Sequence, residues 1–199
     1  MSARSNACSE LVRFWLQERH GCLIDDELPV PVPYALSDID LVAMRADLSS
    51  FDLPDSTSIG PRVIVEAKAE HDWDITGREF GAALLKDLEI MGDQMSIPLD
   101  ARGVKFVMLR QQHYERAETN FGTQDLDRLF VVHALDPRER VELGPGLAER
   151  RIFWLIIPEL VADIYAWYQT HPRRAALRRS PTGDLLHLLF GLCRLGSVR

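Results

Sequence analysis

The sequence predicts an α/β fold in which one central, mixed β-sheet is flanked by helices. Short apolar runs of strand length alternate with longer segments of helical periodicity. One pair of predicted strands is joined by a loop alone, which is typical of an antiparallel hairpin. Another pair is separated by a helix, which is typical of a parallel crossover. A sheet that contains both connections is mixed.

The predicted helices are segments whose apolar residues recur on one side. Four such segments are Ala7–His20, residues 76–92, residues 158–169 and Asp184–Leu195. Thr76 and Glu79 have the spacing of a capping box at the start of the second segment. Between the last two lies an arginine-rich connection, so we expect the final helix to form a C-terminal extension of the sheet domain.

The predicted strands are short apolar or β-branched runs. They cover residues 39–46, 62–69, 104–109, 129–135 and 152–157. The first two form a hairpin with a long loop over residues 47–61. An extended segment, Cys22–Pro33, precedes them, and its three prolines exclude a central strand there and indicate a sheet edge or an irregular arm. The sequence Gly144-Pro145-Gly146 predicts a turn.

Length and composition predict one sizeable core. The chain has 199 residues, of which 46% are hydrophobic and 27% are charged. No stretch reaches the roughly 18 uncharged apolar residues that span a bilayer. The cysteines Cys8, Cys22 and Cys193 have the spacing of neither a disulfide framework nor a zinc knuckle. We therefore expect a cytoplasmic protein that does not bind membranes.

Charge is distributed unevenly along the chain. Residues 171–199 contain six arginines and one aspartate, a net charge of +5, which leaves −12 for residues 1–170 of a chain whose total is −7. We therefore divide the chain into an α/β domain over residues 1–170 and a basic helical extension over residues 171–199. Two interpretations stay open for Arg173, Arg174, Arg178 and Arg179: they contact phosphates, or they pair with the acidic body.

Carboxylates mark the start of the strand at residues 39–46. Side chains alternate along a strand, so Asp38, Asp40 and Val42 share one face, while Ile39 and Leu41 share the other. One face is therefore apolar, and the other begins with two acids. Asp38 is either a supporting carboxylate of a site or a turn residue without a role there.

The next strand adds an acid and an ammonium group. Glu66 and Lys68 lie on one face, about 6.7 Å apart along the strand. If the two strands pair, Asp40 and Glu66 reach one cation with Lys68 beside it. Mg²⁺ usually takes one or two carboxylates, and a bound ion can acidify water for attack on phosphorus. The structural alternative is a salt bridge from Lys68 to Asp40 or Glu66.

These motifs resemble a known nuclease superfamily. S-D-I-D-L-V-A (37–43) and V-I-V-E-A-K (63–68) are similar to the PD-(D/E)xK, restriction-endonuclease-like proteins, particularly their Holliday-junction-resolvase-like branch. The resemblance covers residues 7–110 and implies a core in which a helix, a strand-borne aspartate and an E-x-K strand form a Mg²⁺ or Mn²⁺ site. It departs from the pattern at Ser37, where the family has proline, and in its long loop between the motif strands.

The resemblance also implies roles for individual residues. Asp40 and Glu66 would be metal ligands, and Lys68 would lie at the attacking water. An acid in the first helix would be an auxiliary catalytic group and a further ligand. On a helical wheel Glu10 lies at the edge of the apolar side and Glu18 lies inside it, and the resemblance favours Glu10. The structural alternative for both acids is a solvated helix face.

The sequence thus predicts a Mg²⁺- or Mn²⁺-dependent endonuclease that acts on DNA, and it is compatible with a homodimer. The alternative is an inactive module of the same fold that binds nucleic acid or a protein. No dinucleotide-binding, Walker or G-x-S-x-G motif supports another enzyme class. His113, His133, His171 and His187 lack the spacing of a zinc site.

Overall fold

The computed structural model describes residues 3–32, 35–67, 78–171 and 180–196, and its centre is a five-stranded sheet. The strands of this sheet are β1 (Cys22–Val32), β2 (Ala35–Arg45), β5 (Arg62–Ala67), β6 (Asp127–Val132) and β7 (Ile152–Ile156). They lie in the order β1-β2-β5-β6-β7. The first two pairings are antiparallel and the last two are parallel, which confirms the mixed sheet.

Helices cover both faces of the sheet. They are α1 (Ala3–Phe14), α2 (Arg78–Met91), α3 (Gln111–Phe121), α4 (Pro137–Glu149), α5 (Ile157–Thr170) and α6 (Pro181–Gly196). On one face α1, α5 and α6 contribute Val12, Leu160 and Phe190 to a buried cluster. On the other face α2, α3 and α4 form a second cluster that includes Phe80 and Leu147. The predicted α/β class, with a mixed sheet flanked by helices, is confirmed.

The four predicted helices are present with shifted boundaries. The first begins at Ala3 and continues beyond Phe14 as a π-helical turn, Trp15–Arg19. The last covers Pro181–Gly196. Thr76, the predicted cap of α2, lies outside the described residues. Among the described residues, no helix combines the length and apolar character that crossing a bilayer requires.

The hairpin between the two motif strands is also confirmed. Leu41 pairs with Val65 and Val42 with Ile64, and the long connection contains a small sheet of β3 (Phe51–Asp52) and β4 (Ser58–Ile59). β1 forms the edge beside β2, as its prolines predict. Every residue from Val63 to Ala67 is buried, so β5 is a central strand.

The strand predicted at residues 104–109 is wrong. This segment is irregular and ends in a 3-10 turn, Val107–Leu109. The backbone N–H groups of Lys105 and Phe106 donate to one carboxylate oxygen of Asp87 in α2, at 2.9 and 2.7 Å. The Asp87 side chain therefore accepts two backbone N–H groups that, in a β-strand, would donate to the neighbouring strand.

The turn predicted at Gly144-Pro145-Gly146 is wrong as well, because these residues lie inside α4. The Asp136 carboxylate caps that helix by accepting the N–H of Arg138 at 2.9 Å, and proline occupies the first helical position. Leu147 packs into the buried cluster below. Capping and packing outweigh the local preference of glycine and proline for turns.

The last points of the fold concern the C-terminal helix α6 and two cysteines. Leu186 and Phe190 of α6 are buried in the same cluster as α1 and α5, so this helix packs on the sheet domain. Cys8 and Cys22 are buried. Burial raises the pKa of the Cys22 thiol to about 12, which keeps it protonated.

Candidate functional site

The predicted acidic residues line a small pocket of about 160 Å³. It lies beside the end of the β2–β5 ladder, between those strands, the 3-10 turn and α3. Its polar lining residues are Ser37, Asp38, Asp40, Glu66 and His113. The structure thus brings Asp38, Asp40 and Glu66 to one place, although they come from two different strands.

Asp40 is held where β2 and β5 stop pairing. The last ladder pair at this end is Leu41 with Val65. One residue further on, the Asp40 Oδ2 atom accepts the backbone N–H of Ala67 at 2.7 Å. The carboxylate thereby continues the hydrogen bonding of the sheet, and this bond fixes its position at the pocket.

The strand β2 does not alternate as predicted at this point. Leu41 packs on the α1 side of the sheet and Val42 on the α2 side, but Ile39 also packs on the α2 side. The predicted placement of Ile39 with Leu41 is therefore wrong. The irregularity coincides with the end of the ladder, and Glu27 of the neighbouring strand has a positive φ of 52°.

Glu66 lies on the α2 side, as the alternation of β5 predicts. Its side chain is buried, with only 4% of the residue exposed. The Oε2 atom accepts the backbone N–H of Met108 at 3.2 Å. This bond ties the 3-10 turn to β5, and the turn in consequence forms one wall of the pocket.

His113 is a pocket residue that sequence reasoning did not place there. It lies in α3, is 1% exposed, and its Nε2 is 2.8 Å from the Ser37 hydroxyl. No described residue hydrogen-bonds its Nδ1. Burial, aided by the positive charge of Arg110 and opposed by Asp38, lowers the pKa of His113 to about 4. The imidazole is therefore neutral near pH 7.

No spacing in the sequence would have found this histidine. Ser37 and His113 are separated by 76 positions, and α3 contains only two buried apolar residues, Tyr114 and Ala117. Its helical periodicity is too sparse to predict the element, and without the element the position of His113 cannot be inferred.

The two candidate acids of the first helix do not line the pocket. The side chain of Glu10 is 54% exposed, and its carboxylate is 3.4 Å from Arg13. Glu18 lies in the π-helical turn and is half-buried. Both belong to the helical layer on the opposite face of the sheet from Glu66.

Several predicted site residues lie outside the described residues. These are Lys68, Arg173, Arg174, Arg178 and Arg179. Lys68 directly follows Ala67, whose N–H binds Asp40.

Within the described part of the chain, no three histidine, cysteine, aspartate or glutamate side chains are arranged to hold a metal ion. The pocket is therefore lined by three carboxylates, those of Asp38, Asp40 and Glu66, but they do not form the compact set of ligands that a zinc site requires. Comparison of the chain with protein-family models, with curated protein sequences and with solved structures returned no match.

Proposed function

We propose that this protein is a Mg²⁺-dependent phosphodiesterase that cleaves DNA, with Asp40 and Glu66 as the metal ligands. The observation that carries the proposal is that these carboxylates, from two strands, line one pocket at the end of the β2–β5 ladder. The order of elements supports it, because a helix, an aspartate-bearing strand and an E-x-K strand are the parts that the resemblance to PD-(D/E)xK nucleases implies.

The donor chemistry of the pocket suits Mg²⁺. This ion prefers oxygen ligands and usually takes one or two carboxylates, with water and phosphate oxygens at its other positions. When bound, it would polarise a phosphate oxygen and acidify a water molecule. Asp40 and Glu66 supply the two carboxylates. His113 is neutral near pH 7, so it adds no positive charge that would repel a cation.

Lys68 has a separate role in the proposal. Its ammonium group would stabilise negative charge that develops on the phosphate, or would position the attacking water. The sequence places it two residues after Glu66. We assign no step to Glu10, because its carboxylate is exposed and lies beside Arg13.

A second candidate is a DNA- or protein-binding module that has this fold but no catalytic activity. One observation favours it: each carboxylate accepts a hydrogen bond that holds the fold together, Asp40 from the Ala67 N–H and Glu66 from the Met108 N–H. These bonds would hold the strands and the 3-10 turn together in a protein that never binds a metal.

Cleavage and binding assays on the full chain separate the two candidates. Branched, duplex and single-stranded DNA would each be incubated with Mg²⁺, with Mn²⁺ and with EDTA. We expect cleavage of at least one DNA with either metal and none with EDTA. DNA binding without cleavage in any condition would favour the second candidate, and cleavage in EDTA would contradict the metal-dependent mechanism.

A further inference from the structure

The wall of the pocket formed by the 3-10 turn and α3 belongs to a positively charged stretch of the chain. Residues 102–116 contain four cationic side chains and one carboxylate, whereas the first 170 residues together carry −12. Arg102, Lys105, Arg110 and Arg116 form no ion pair with any carboxylate of the described residues. A local positive surface therefore borders the acidic pocket.

Arg110 and Arg116 lie before and after His113, the pocket residue of α3. Arg110 precedes the first residue of the helix, His113 follows three positions later, and Arg116 three positions after that. The hydrogen bond between His113 and Ser37, at 2.8 Å, holds this part of α3 at the pocket. An α-helix rises 1.5 Å per residue, so positions 110 and 116 are about 9 Å apart along its axis. The two arginines thus flank the pocket residue on both sides.

Arg116 is also tied to the strand that borders the pocket. Its Nε donates to the Pro29 carbonyl oxygen at 3.0 Å, and Pro29 of β1 is paired with Asp38, one of the pocket carboxylates. The two terminal nitrogens of this guanidinium donate to no described residue. Such a pair of N–H donors has the geometry for bidentate binding of a phosphate group.

Lys105 belongs to the same positive surface. It is exposed and lies two residues before Val107, which lines the pocket. Burial raises the pKa of the Asp87 carboxyl, and the positive charges of Arg110 and Lys105 both oppose this rise. Both cations therefore lie near the same buried carboxyl group, and Lys105 extends the surface beyond the start of α3.

We propose that Arg110 and Arg116, with Lys105 beside them, bind backbone phosphates of a DNA strand on either side of the phosphate that enters the pocket. This assignment rests on the proposed function and names the surface that holds its substrate. Each DNA strand advances about 3.4 Å per nucleotide, so positions about 9 Å apart match phosphates about three nucleotides apart. Contacts to phosphate position DNA without reading its sequence, so binding should not depend on sequence.

Salt-dependent DNA binding by the full chain tests this surface. Fluorescence anisotropy with a labelled duplex in EDTA measures affinity without metal-dependent cleavage. We expect Arg110→Gln and Arg116→Gln each to lower affinity about five- to tenfold near 0.1 M salt, and to reduce the slope of log K against log salt by about 0.9. Arg116→Lys should retain the slope, because it keeps the positive charge.

Arg150→Gln is the matched control. Arg150 is half-buried, as Arg110 and Arg116 are, and forms no ion pair with a described carboxylate. It lies just before β7 begins, whereas Glu66 lies near the end of β5, so in this parallel part of the sheet it is at the opposite end from the pocket. Its replacement should change neither the affinity nor the salt slope.

The outcomes separate this inference from the proposed nuclease activity. Folded Arg110→Gln and Arg116→Gln proteins with wild-type affinity and slope would overturn the inference, even if the wild type cleaves DNA. An equal loss in Arg150→Gln, or a wild type that binds no DNA, would also overturn it. The expected losses without any cleavage in Mg²⁺ or Mn²⁺ would support the surface and contradict the nuclease. Melting curves check folding, and Lys105→Gln replaces a variant that does not fold.

Discussion

At the scale of single residues, the pocket carboxylates combine a structural bond with a proposed chemical role. Asp40 accepts the N–H of Ala67, and Glu66 accepts the N–H of Met108. An amide side chain keeps an oxygen that accepts such a bond but lacks the negative charge that holds a cation. Asparagine and glutamine substitutions therefore separate the two roles.

Asp40→Asn tests the proposed ligand. We expect Mn²⁺ affinity, measured by calorimetry, to fall at least about tenfold, because loss of a ligand should cost no less than loss of a supporting residue. The melting temperature should change little, since the Ala67 N–H keeps an acceptor. Asp52→Asn, at an exposed carboxylate in β3, is the control. Equal affinity in wild type and Asp40→Asn would remove Asp40 from the metal site.

His113 predicts a dependence of stability on pH. Burial lowers the pKa of His113, and likewise that of His20, from 6.5 to about 4. Between these values the unfolded chain binds protons that the folded chain does not, so the free energy of unfolding should fall as pH decreases from about 6.5. Urea unfolding between about pH 7.5 and about pH 5 measures this slope, in a range where ordinary carboxylates stay ionised.

The variant His113→Gln isolates the contribution of one imidazole. It should show a shallower decrease in stability over the same pH range, by up to one proton in the linkage slope. A slope identical to that of the wild type would show that His113 is not held neutral in the folded state.

At the scale of elements, sequence patterns predicted correctly the strands whose formation depends on residues close to one another in the chain. The apolar run of β5 predicts a strand and the face on which Glu66 lies, and the prolines of β1 exclude it from the centre of the sheet. Residues 104–109 are also largely apolar, but the Asp87 carboxylate, 18 positions before Lys105, accepts the backbone N–H groups of Lys105 and Phe106. Long-range bonds of this kind, like that of Ser37 with His113, leave no periodic signal.

Asp87 therefore has a measurable structural role. It is fully buried, and burial raises the pKa of its carboxyl even though two N–H groups bind it. Asp87→Ala leaves the donors of Lys105 and Phe106 without this acceptor, which should cost about 2–4 kcal/mol of unfolding free energy, and Asp87→Asn should cost less. Urea denaturation measures both, and an alanine variant as stable as the wild type would contradict this role.

At the scale of the whole molecule, charge is the dominant asymmetry. The first 170 residues carry −12 and the last 29 carry +5. An acidic body repels DNA at long range, so a nuclease of this composition needs a local positive surface. The arginines at 173, 174, 178 and 179 are the densest cluster of positive charge in the sequence.

Replacing these four arginines with glutamine tests whether they contact DNA. If they neutralise phosphates, DNA affinity should fall for every sequence, and the slope of log K against log salt should decrease by about 0.9 for each lost contact. If they pair with the acidic body instead, the melting temperature should fall while the salt slope stays unchanged. Affinity at two salt concentrations and a melting curve distinguish the outcomes.

The central claim is that Asp40 and Glu66 form a metal-dependent cleavage site. Its most direct test is the single-turnover rate of DNA cleavage in Mg²⁺ for the wild type, Glu66→Gln and Asp52→Asn. We expect Glu66→Gln to lower the rate at least about 100-fold while DNA affinity and folding are retained, because glutamine still accepts the Met108 N–H but lacks the ligand charge. Asp52→Asn should cleave like the wild type. A folded Glu66→Gln protein that cleaves at the wild-type rate would contradict the claim.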